Sequence, residues 1–403
     1  MRLCLIANPN SVHTQRWVRY FAARGDEVHL VGDKPLAAAL PDGVHYHDLT
    51  QVTNRRKARY LAWALVVRRL VRELQPDVLH GHQVTSAGWL AAAAGYRPLL
   101  VTAWGSDLLV APQRSRAQRW LAQWVLRRAD YVTAVSQALA DAAVRLGSDP
   151  HRTEVVPWGV DTAIFYPAAE PAPTDRPPTV LSLRALQPIY NPLTIAAAIP
   201  QVLRSAPQAR FLVFTYNSDP ALLRQFQEAV AKAGADHAVE YVPPLPDDRA
   251  IAEVCRRADV AISVPTSDGT PRSVLEAMAC GAVPVLSDVP SLHEWVAEGQ
   301  EGLYVPVGDA EALAAAVARL LTDRDLRGRL RAGCLRVVAE RADSRVWMAR
   351  YAQIYAQLAA GQRPQPPQPW AAGGASRAGG GQAGSSPATA DAAAPAPSPQ
   401  EAR

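Results

Sequence analysis

Lysine is nearly missing from this 403-residue chain: Lys34, Lys57 and Lys232 are the only three among 42 basic residues. The formal charge of +5 is therefore carried almost entirely by arginine, whose planar guanidinium stays charged and binds phosphate or carboxylate through paired hydrogen bonds. A basic balance of this size raises nucleic acid, anionic lipid or anionic substrate as partners, and it bears on steering and solubility rather than on fold. Cysteine is scarce as well. Cys4, Cys255, Cys280 and Cys334 lie far apart with no CxxC pair, which argues against a zinc site or a redox pair and fits buried free thiols in a reducing cytoplasm. No uninterrupted apolar run approaches the roughly 20 residues that cross a bilayer. The opening MRLCLIANPN is too short for a signal peptide and reads as a first strand. The expectation is a cytoplasmic protein, free or held on a membrane surface.

With 49% hydrophobic residues, a chain of this length can bury two cores. Leu3 to Ala7 reads as a strand, Val12 to Arg24 as a helix closed by Gly25, and Val28 to Val31 as the next strand. That βαβ order predicts parallel sheets and puts the loop Asn8 to His13, with Asn10 and His13, at a carboxyl edge. Further strands are predicted at the run ending in His80 and His82, and at Leu99 to Ala103, Tyr131 to Val135, Val180 to Leu183, Phe211 to Thr215 and Val239 to Val242. Helices are predicted at Pro220 to Lys232, Ala252 to Arg257, around Trp295, and at Ala310 to Leu321, Asp325 to Glu340 and Val346 to Leu358. Five prolines between Pro167 and Pro178 mark an exposed linker. From Gly361 onward the composition lacks the bulky apolar residues that a core needs, so a disordered tail is expected.

The stretch Val260 to Asp288, VAISVPTSDGTPRSVLEAMACGAVPVLSD, carries the strongest local signals. Val260 to Pro265 and Val283 to Leu286 have strand composition, and the helix between them has Thr270 as N-cap, Pro271 at its first position and Gly281 past its end. Helical spacing puts Arg272, Ser273 and Glu276 on one face and Val274, Leu275 and Met278 on the face that packs. A helix start at the carboxyl edge of a parallel sheet is an anion site, and Asp268 and Glu276 would flank a phosphate bound there. The residue types leave a second reading open, an ordinary helix whose Arg272 and Glu276 form an exposed pair of about 0.3 kcal/mol.

The string DGTPRSVLEAMACGAVPV resembles the C-terminal signature of retaining glycosyltransferases of the GT-B fold, family four: an acidic residue, seven others, then Glu in an EAMACG-like helix. The resemblance spans Met1 to about Leu358 and implies an α/β protein of two Rossmann-like domains whose parallel sheets face each other across a cleft. It implies an acceptor-side domain over 1–166, a linker over 167–178, a nucleotide-sugar-binding domain over 179–343 and a helix over 344–360 that returns to the first domain, before a tail over 361–403. By the same resemblance Asp268 contacts the donor sugar, where the family usually has Glu, and Glu276 holds the nucleotide ribose. Gly269, Thr270, Arg272 and Ser273 fall between them on the donor side.

Other segments agree with that resemblance residue by residue. PDVLHGHQ is similar to the family's PDVVHAH-like strand, whose terminal His faces the cleft, which makes His82 a candidate catalytic residue. TAWGSD resembles the acceptor-side loop and contributes Asp107, with Trp104 where His is common. VVPWGVD resembles the IPNGVD crossing between domains, with Trp158 for the usual polar residue. Arg184 matches the Arg of a diphosphate-binding segment whose Lys is absent here, Asn191 standing near its place, so Arg272 is the expected replacement charge. The family's Gly-rich loop is missing at Asn8 to His13, and His13 is read either as a donor contact or as a helix cap.

The resemblance implies sugar transfer from a UDP- or GDP-linked donor to a glycan or lipid-linked acceptor, in cell-surface glycan or glycolipid synthesis, with no nucleic acid as partner. No cofactor is expected beside the nucleotide-sugar substrate. No metal is expected to bridge the diphosphate either. Two rivals stay open: a nucleotide-sugar epimerase of similar shape, and a degenerate binding module. Two basic stretches bear on the acceptor. Asn54 to Leu74 interleaves arginines with Leu61, Leu65, Val66 and Leu70, and Arg114 to Arg128 holds Trp120 and Trp124 four apart. Each describes a segment lying on an anionic membrane surface, or a helix packing its apolar face inward beneath a charged one.

Overall fold

The computed structural model describes residues 1–52, 59–169 and 176–365. Its first sheet holds β1 (Arg2–Ile6), β2 (Glu27–Gly32), β3 (Val44–Asp48), β4 (Val78–His82), β5 (Leu99–Ala103), β6 (Tyr131–Ala134) and β7 (Thr153–Val155). The second holds β8 (Thr179–Ser182), β9 (Arg210–Phe214), β10 (Val239–Val242), β11 (Val260–Ser263), β12 (Val283–Ser287) and β13 (Leu303–Val305). The spatial orders are β3-β2-β1-β4-β5-β6-β7 and β10-β9-β8-β11-β12-β13. All pairings are parallel, with Leu3 opposite Val28 and Val78, and Val260 opposite Val180 and Val283. Parallel neighbours need crossover helices that cover both faces, which is why central strands such as LLVTA and VAIS are buried along their whole length. Strand order reverses between β1 and β4 and again between β8 and β11, so each sheet has a crevice at the carboxyl ends of those strands.

On one face of the first sheet lie Trp63, Val67 and Val71, then Leu90, and then Val125 and Leu126. The other face is covered by Trp17, Val18 and Phe21 of the Val12–Ala23 helix together with Tyr351, Ile354 and Tyr355 of the Ser344–Ala359 helix. The final described helix therefore packs on the first sheet although it follows the second in sequence. Arg350 anchors it there, donating to both oxygens of Glu154 at 2.7 and 2.8 Å, while the Tyr131 hydroxyl donates to the same carboxylate at 2.8 Å. The two connections between the sheets run side by side: Val160 N–H donates to Ala342 O at 2.6 Å and Ser344 N–H to Val160 O at 2.9 Å. Gly159 makes that approach feasible. Its φ is +63°, and a Cβ there would lie 2.5 Å from Ala342 O.

Several expectations change. The helix around Trp295 is a series of turns, and the helix after β11 begins at Arg272 with Pro271 as its N-cap, because the Thr270 hydroxyl donates elsewhere. β3 and β7 were not expected: VHYHD mixes polar residues into an edge strand, and TEV is too short for a period to register. The Gly88–Ala94 and Pro192–Ser205 helices were also not expected, the first for want of a polar face and the second because Pro200 interrupts the pattern. The helix expected from Asn54 is described from Arg59 to Leu74. The core of the proline-rich linker, 170–175, and the tail from 366 lie outside the described residues. All four cysteines are free and buried. Among the described residues no helix is long and apolar enough to cross a membrane.

Removing one member of a buried ion pair strands the other in low dielectric, at about 3–5 kcal/mol. Arg350→Ala should accordingly lower the unfolding free energy by that order, measured by denaturant titration. An unchanged midpoint and slope would mean that the final helix is not held by Glu154.

Candidate functional site

β8 ends at Ser182, and two residues later Arg184 enters the crevice of the second sheet. Its Nη2 donates to Asp268 Oδ2 at 2.5 Å, its Nη1 to Ser273 Oγ at 3.0 Å, and its guanidinium lies 4.2 Å from the Tyr190 ring centroid. Asp268 reaches this point on the loop after β11, its Oδ1 accepting from the Gly269 amide at 2.8 Å and its carbonyl from Ser291 Oγ at 2.9 Å. Burial works against the charge on Arg184, but Asp268, Tyr190 and Tyr216 together outweigh it and hold the group above its ordinary value. The structure thus joins Arg184, Asp268 and Ser273, residues 89 apart at the extremes, by the strand reversal alone.

One turn into the helix sits Glu276, 8% exposed. Its Oε1 lies 3.0 Å from Arg272 Nε and 3.5 Å from Arg16 Nη1. The Arg272–Glu276 pair is thus buried, not the exposed surface pair that the residue types left open. Burial pushes the Glu276 carboxyl up to about 7, opposed by Arg16 and Arg184 and reinforced by Asp248. Asp248 was not singled out in the sequence, although the Asp247-Asp248 doublet held a signal. Asp247 caps the Asp248–Arg256 helix through the Ala250 amide at 2.9 Å, which leaves Asp248 free to pair with Arg16 Nε at 2.8 Å.

The first domain faces these groups with an aromatic cluster. His13 stacks on Trp158 with ring centroids 3.8 Å apart, and Trp104 stands edge-on to Trp158 at 4.9 Å. Burial, with Arg16, His82 and Arg184 nearby, pushes His13 down to about 3, so the ring is neutral at physiological pH. It does not cap the helix: Ser11 occupies that position. His82 lies behind, its ring 5.3 Å from Trp104 and 4.8 Å from Trp17, and burial pushes it down to about 3. Neither His82 nitrogen has a hydrogen-bond partner among the described residues. His80 is structural, bonded to the Tyr355 hydroxyl at 2.6 Å and to Thr102 Oγ1 at 2.7 Å. Thr270 and Gly269 are seam residues: the Thr270 hydroxyl donates to Val135 O, and a Cβ on Gly269 would sit 2.6 Å from Trp104 O.

Two expected site residues, Asp107 and Asn10, are engaged elsewhere, and so is Asn191. Both oxygens of Asp107 are taken by backbone amides, Val84 at 2.7 Å, Gly105 at 2.7 Å and Trp104 at 3.1 Å, which makes it a residue that shapes the loop. Burial raises its carboxyl above the usual range while those amides pull it back. Asn10 is exposed, and its side chain donates to Pro35 O at 2.8 Å and accepts from Ala37 N at 2.9 Å, pinning a neighbouring loop rather than facing the cleft. Asn191 donates to Val264 O at 3.0 Å and so does not stand in for the absent Lys. The chain's Asp-x-Asp triplet, Asp323 to Asp325, opens the Arg324–Arg341 helix, where Asp323 accepts from the Leu326 amide at 2.9 Å. Among the described residues no group of three or more His, Cys, Asp or Glu is arranged to hold a metal ion.

A cavity of about 350 Å³ runs between His13, Arg16 and Trp158 on one side and Asp248 and Arg272 on the other. A larger hollow of about 600 Å³ is lined by Thr179, Arg210 and Val239, the first residues of β8, β9 and β10. It lies at the amino edge of the sheet, whereas ligands of open parallel sheets bind at the carboxyl edge, so the smaller cavity is the one beside the chemistry.

Comparison with known proteins bears on the same surfaces. Residues 2–136 match the family model Glycosyl transferase 4-like, and residues 168–333 match Glycosyl transferases group 1. The D-inositol 3-phosphate glycosyltransferase of Corynebacterium efficiens is 29% identical over 281 residues, 64% of this chain and 66% of the relative. The enzyme of the same name from Xylanimonas cellulosilytica is 31% identical over 305 residues, 70% of this chain and 72% of the relative. The chain spans 66% of the length of the Corynebacterium efficiens relative and 44% of another from Acidothermus cellulolyticus. In fold it is similar to sucrose-phosphate synthase from Thermosynechococcus elongatus, with TM-score 0.76 and 21% identity over 90% of this chain and 100% of that one. Anabaena HepE, solved in complex with UDP and glucose, gives a TM-score of 0.72 with 17% identity over 89% of this chain and 100% of that one.

With Glu276 at about 7 in the native state against an ordinary 4.5, the folded protein keeps a proton that the unfolded chain has already released across that window. Stability contributed by this group is therefore full at low pH, falls as pH rises through the window, and stays lowered above it by about 3 kcal/mol. Glu276→Gln removes the slope. Unfolding free energies measured from pH 5 to pH 8 should fall more steeply for wild type than for the variant, and parallel curves would show that Glu276 is ionised in the native state throughout.

Proposed function

This chain belongs to the glycosyl transferases group 1, of the GT-B fold, and from that membership we propose that it moves a sugar from a nucleotide-sugar donor to an acceptor hydroxyl with retention of anomeric configuration. The observation that carries the reading is the set Arg184, Asp268, Ser273 and Glu276 gathered at the β8–β11 reversal. In it Glu276 accepts the ribose hydroxyls. Arg184, Arg272 and the helix start meet the charge on the leaving diphosphate without a metal ion, a role in which preorganised cations stabilise charge as it develops. Asp268, held by Arg184, faces the donor sugar as its bond to the diphosphate lengthens, and His82 and His13 present neutral rings on the acceptor side. The UDP held by HepE supports a UDP-linked donor, with a GDP-linked one as the competitor. Nucleotide release from UDP- and GDP-hexoses tests the reading. Release that needs an acceptor rules out an epimerase, donor binding without turnover would leave a binding module, and no binding of any donor would overturn both readings.

The acceptor is read as part of a cell-surface glycan or glycolipid, reached from the inner face of a membrane. On the outer layer of the first domain the Arg59–Leu74 helix exposes Leu61 and Leu65, 69% each, beside Arg68, Arg69 and Arg72, and the Arg116–Arg128 helix exposes Trp120, 62%, beside Arg116 and Arg119. Its other tryptophan, Trp124, turns toward the core under Arg128. Apolar side chains ringed by arginine suit an anionic bilayer. A soluble phosphorylated polyol is the second reading, favoured by the names of the inositol phosphate relatives.

The two carboxylates should fail differently. Glu276→Ala should weaken donor binding by about 1.5–3 kcal/mol, since ribose contacts exist before and during transfer. Asp268→Ala should lower kcat more than donor affinity. Asp268→Glu should keep activity with altered donor preference, and wild-type kinetics in Asp268→Ala would remove this residue from the site. For the membrane, sedimentation with anionic vesicles should retain the protein and with neutral vesicles should not, each near-surface Arg contributing about 1 kcal/mol. Equal behaviour with both would favour the soluble acceptor.

A further inference from the structure

We infer that Arg16, from the first domain, joins Arg184 and Arg272 as a further cation of the diphosphate clamp, reaching across the cleft where the clamp's expected Lys is absent. The inference rests on the reading of the Arg184 and Glu276 crevice as a nucleoside-diphosphate site. Of the arginines there, Arg184 is engaged by Asp268 and Ser273, and Arg272 by the carboxylate of its own helix. Arg16 is held differently. Its Nε and Nη2 are both on Asp248 Oδ2, and that fork fixes the plane of the guanidinium and aims Nη1 at the crevice. Nη1 is buried, has no hydrogen-bond partner, and stops 3.5 Å from Glu276 Oε1. Arg184 Nε and Arg272 Nε are likewise buried and without a hydrogen-bond partner, Arg272 Nε lying at ion-pair distance, 3.0 Å, from Glu276 Oε1.

A buried donor without an acceptor is costly, about 1–3 kcal/mol, and more when it is charged. Three such donors, one from the first domain and two from the second, all near the same carboxylate, therefore call for a ligand with several anionic oxygens close together. A diphosphate has that chemistry, and Arg16 borders the cavity of about 350 Å³ that also touches Arg272 and Asp248. The placement is rigid, because Arg16 lies in the second turn of the helix that follows β1, packed through Trp17 and Val18 on the first sheet. Arg16 thus comes into range of the diphosphate only when the two domains meet as they do here, which ties charge neutralisation to closure. Asp248 is then a positioning residue that acts through Arg16.

Dissociation constants for UDP and for uridine, measured by calorimetry on the full chain, test this. Arg16→Gln should weaken UDP by about tenfold or more and uridine by less than about twofold, whereas Arg16→Lys should recover part of the UDP affinity. Asp248→Asn should act in the same direction with a smaller factor. A purely structural contact would change UDP and uridine by the same factor, or neither, in all three variants, and either result overturns the inference while leaving the site assignment intact. Failure of the wild-type chain to bind UDP or GDP would overturn the site assignment itself and the inference with it. Thermal melting of each variant separates lost folding from lost affinity, and Arg16→Lys and Asp248→Asn keep the test decisive where Arg16→Gln does not fold.

Discussion

A carboxylate withdrawn from water must either be met by cations or hold its proton, and Glu276 lies under that constraint between Arg16, Arg184 and Arg272. Its helix is buried nearly throughout, and Glu276 itself is buried with it. The cleft answers with guanidinium groups from three places in the chain: the helix after β1, the loop after β8 and the start of the Glu276 helix itself. Each of those cations needs its own anion, which brings in Asp248 and Asp268. The result is a compact set of paired charges in which three guanidinium N–H groups, on Arg16, Arg184 and Arg272, still lack a hydrogen-bond acceptor among the described residues. That residual demand for negative charge is what favours the proposed reading of the set as a binding site over a structural ion-pair network.

The seam between the domains is built on the same economy of single polar contacts. Glu294 of the second domain accepts from the Gln137 and Ala138 amides at 2.7 and 3.0 Å, placing a negative charge at the start of the Gln137–Arg145 helix of the first. Burial raises the Glu294 carboxyl, and those two amides hold it back. Thr270 on Val135 and Gly269 against Trp104 are contacts of the residues next to Asp268, and Glu294 follows closely on Ser291, whose hydroxyl donates to the Asp268 carbonyl. The groups proposed to meet the donor sugar are thus positioned by the meeting of two domains, and a change in how they meet alters the site directly.

What was legible in the sequence follows from the range of the signals. Strand composition, helix-period spacing and glycines past helix ends act over a few residues, and they placed most of the central strands and the Arg272–Ala279 helix to within a few positions. The pairing of Asp268 with Glu276 needed only the eight-residue offset and a family signature. Edge strands such as VHYHD escaped because one side of the pair is wet and their pattern is not continuously apolar. Asp107 and Asn10 were read by residue type, and type does not tell whether a carboxylate or an amide already has its hydrogen bonds satisfied by nearby backbone.

The sequence by itself therefore determined the alternating α/β order, the second-domain motif, the arginine-dominated charge and the absence of a long apolar span. Only the tertiary structure decided which arginine meets which acid. Arg16 and Asp248 are 232 residues apart, and nothing local to either one encodes the other. Their meeting depends on two sheets, two crossings knitted at Val160 and Ser344, and a final helix anchored back on the first sheet. Electrostatic partners across a cleft are fixed by the geometry of packed layers, and that geometry emerges only when both cores are complete.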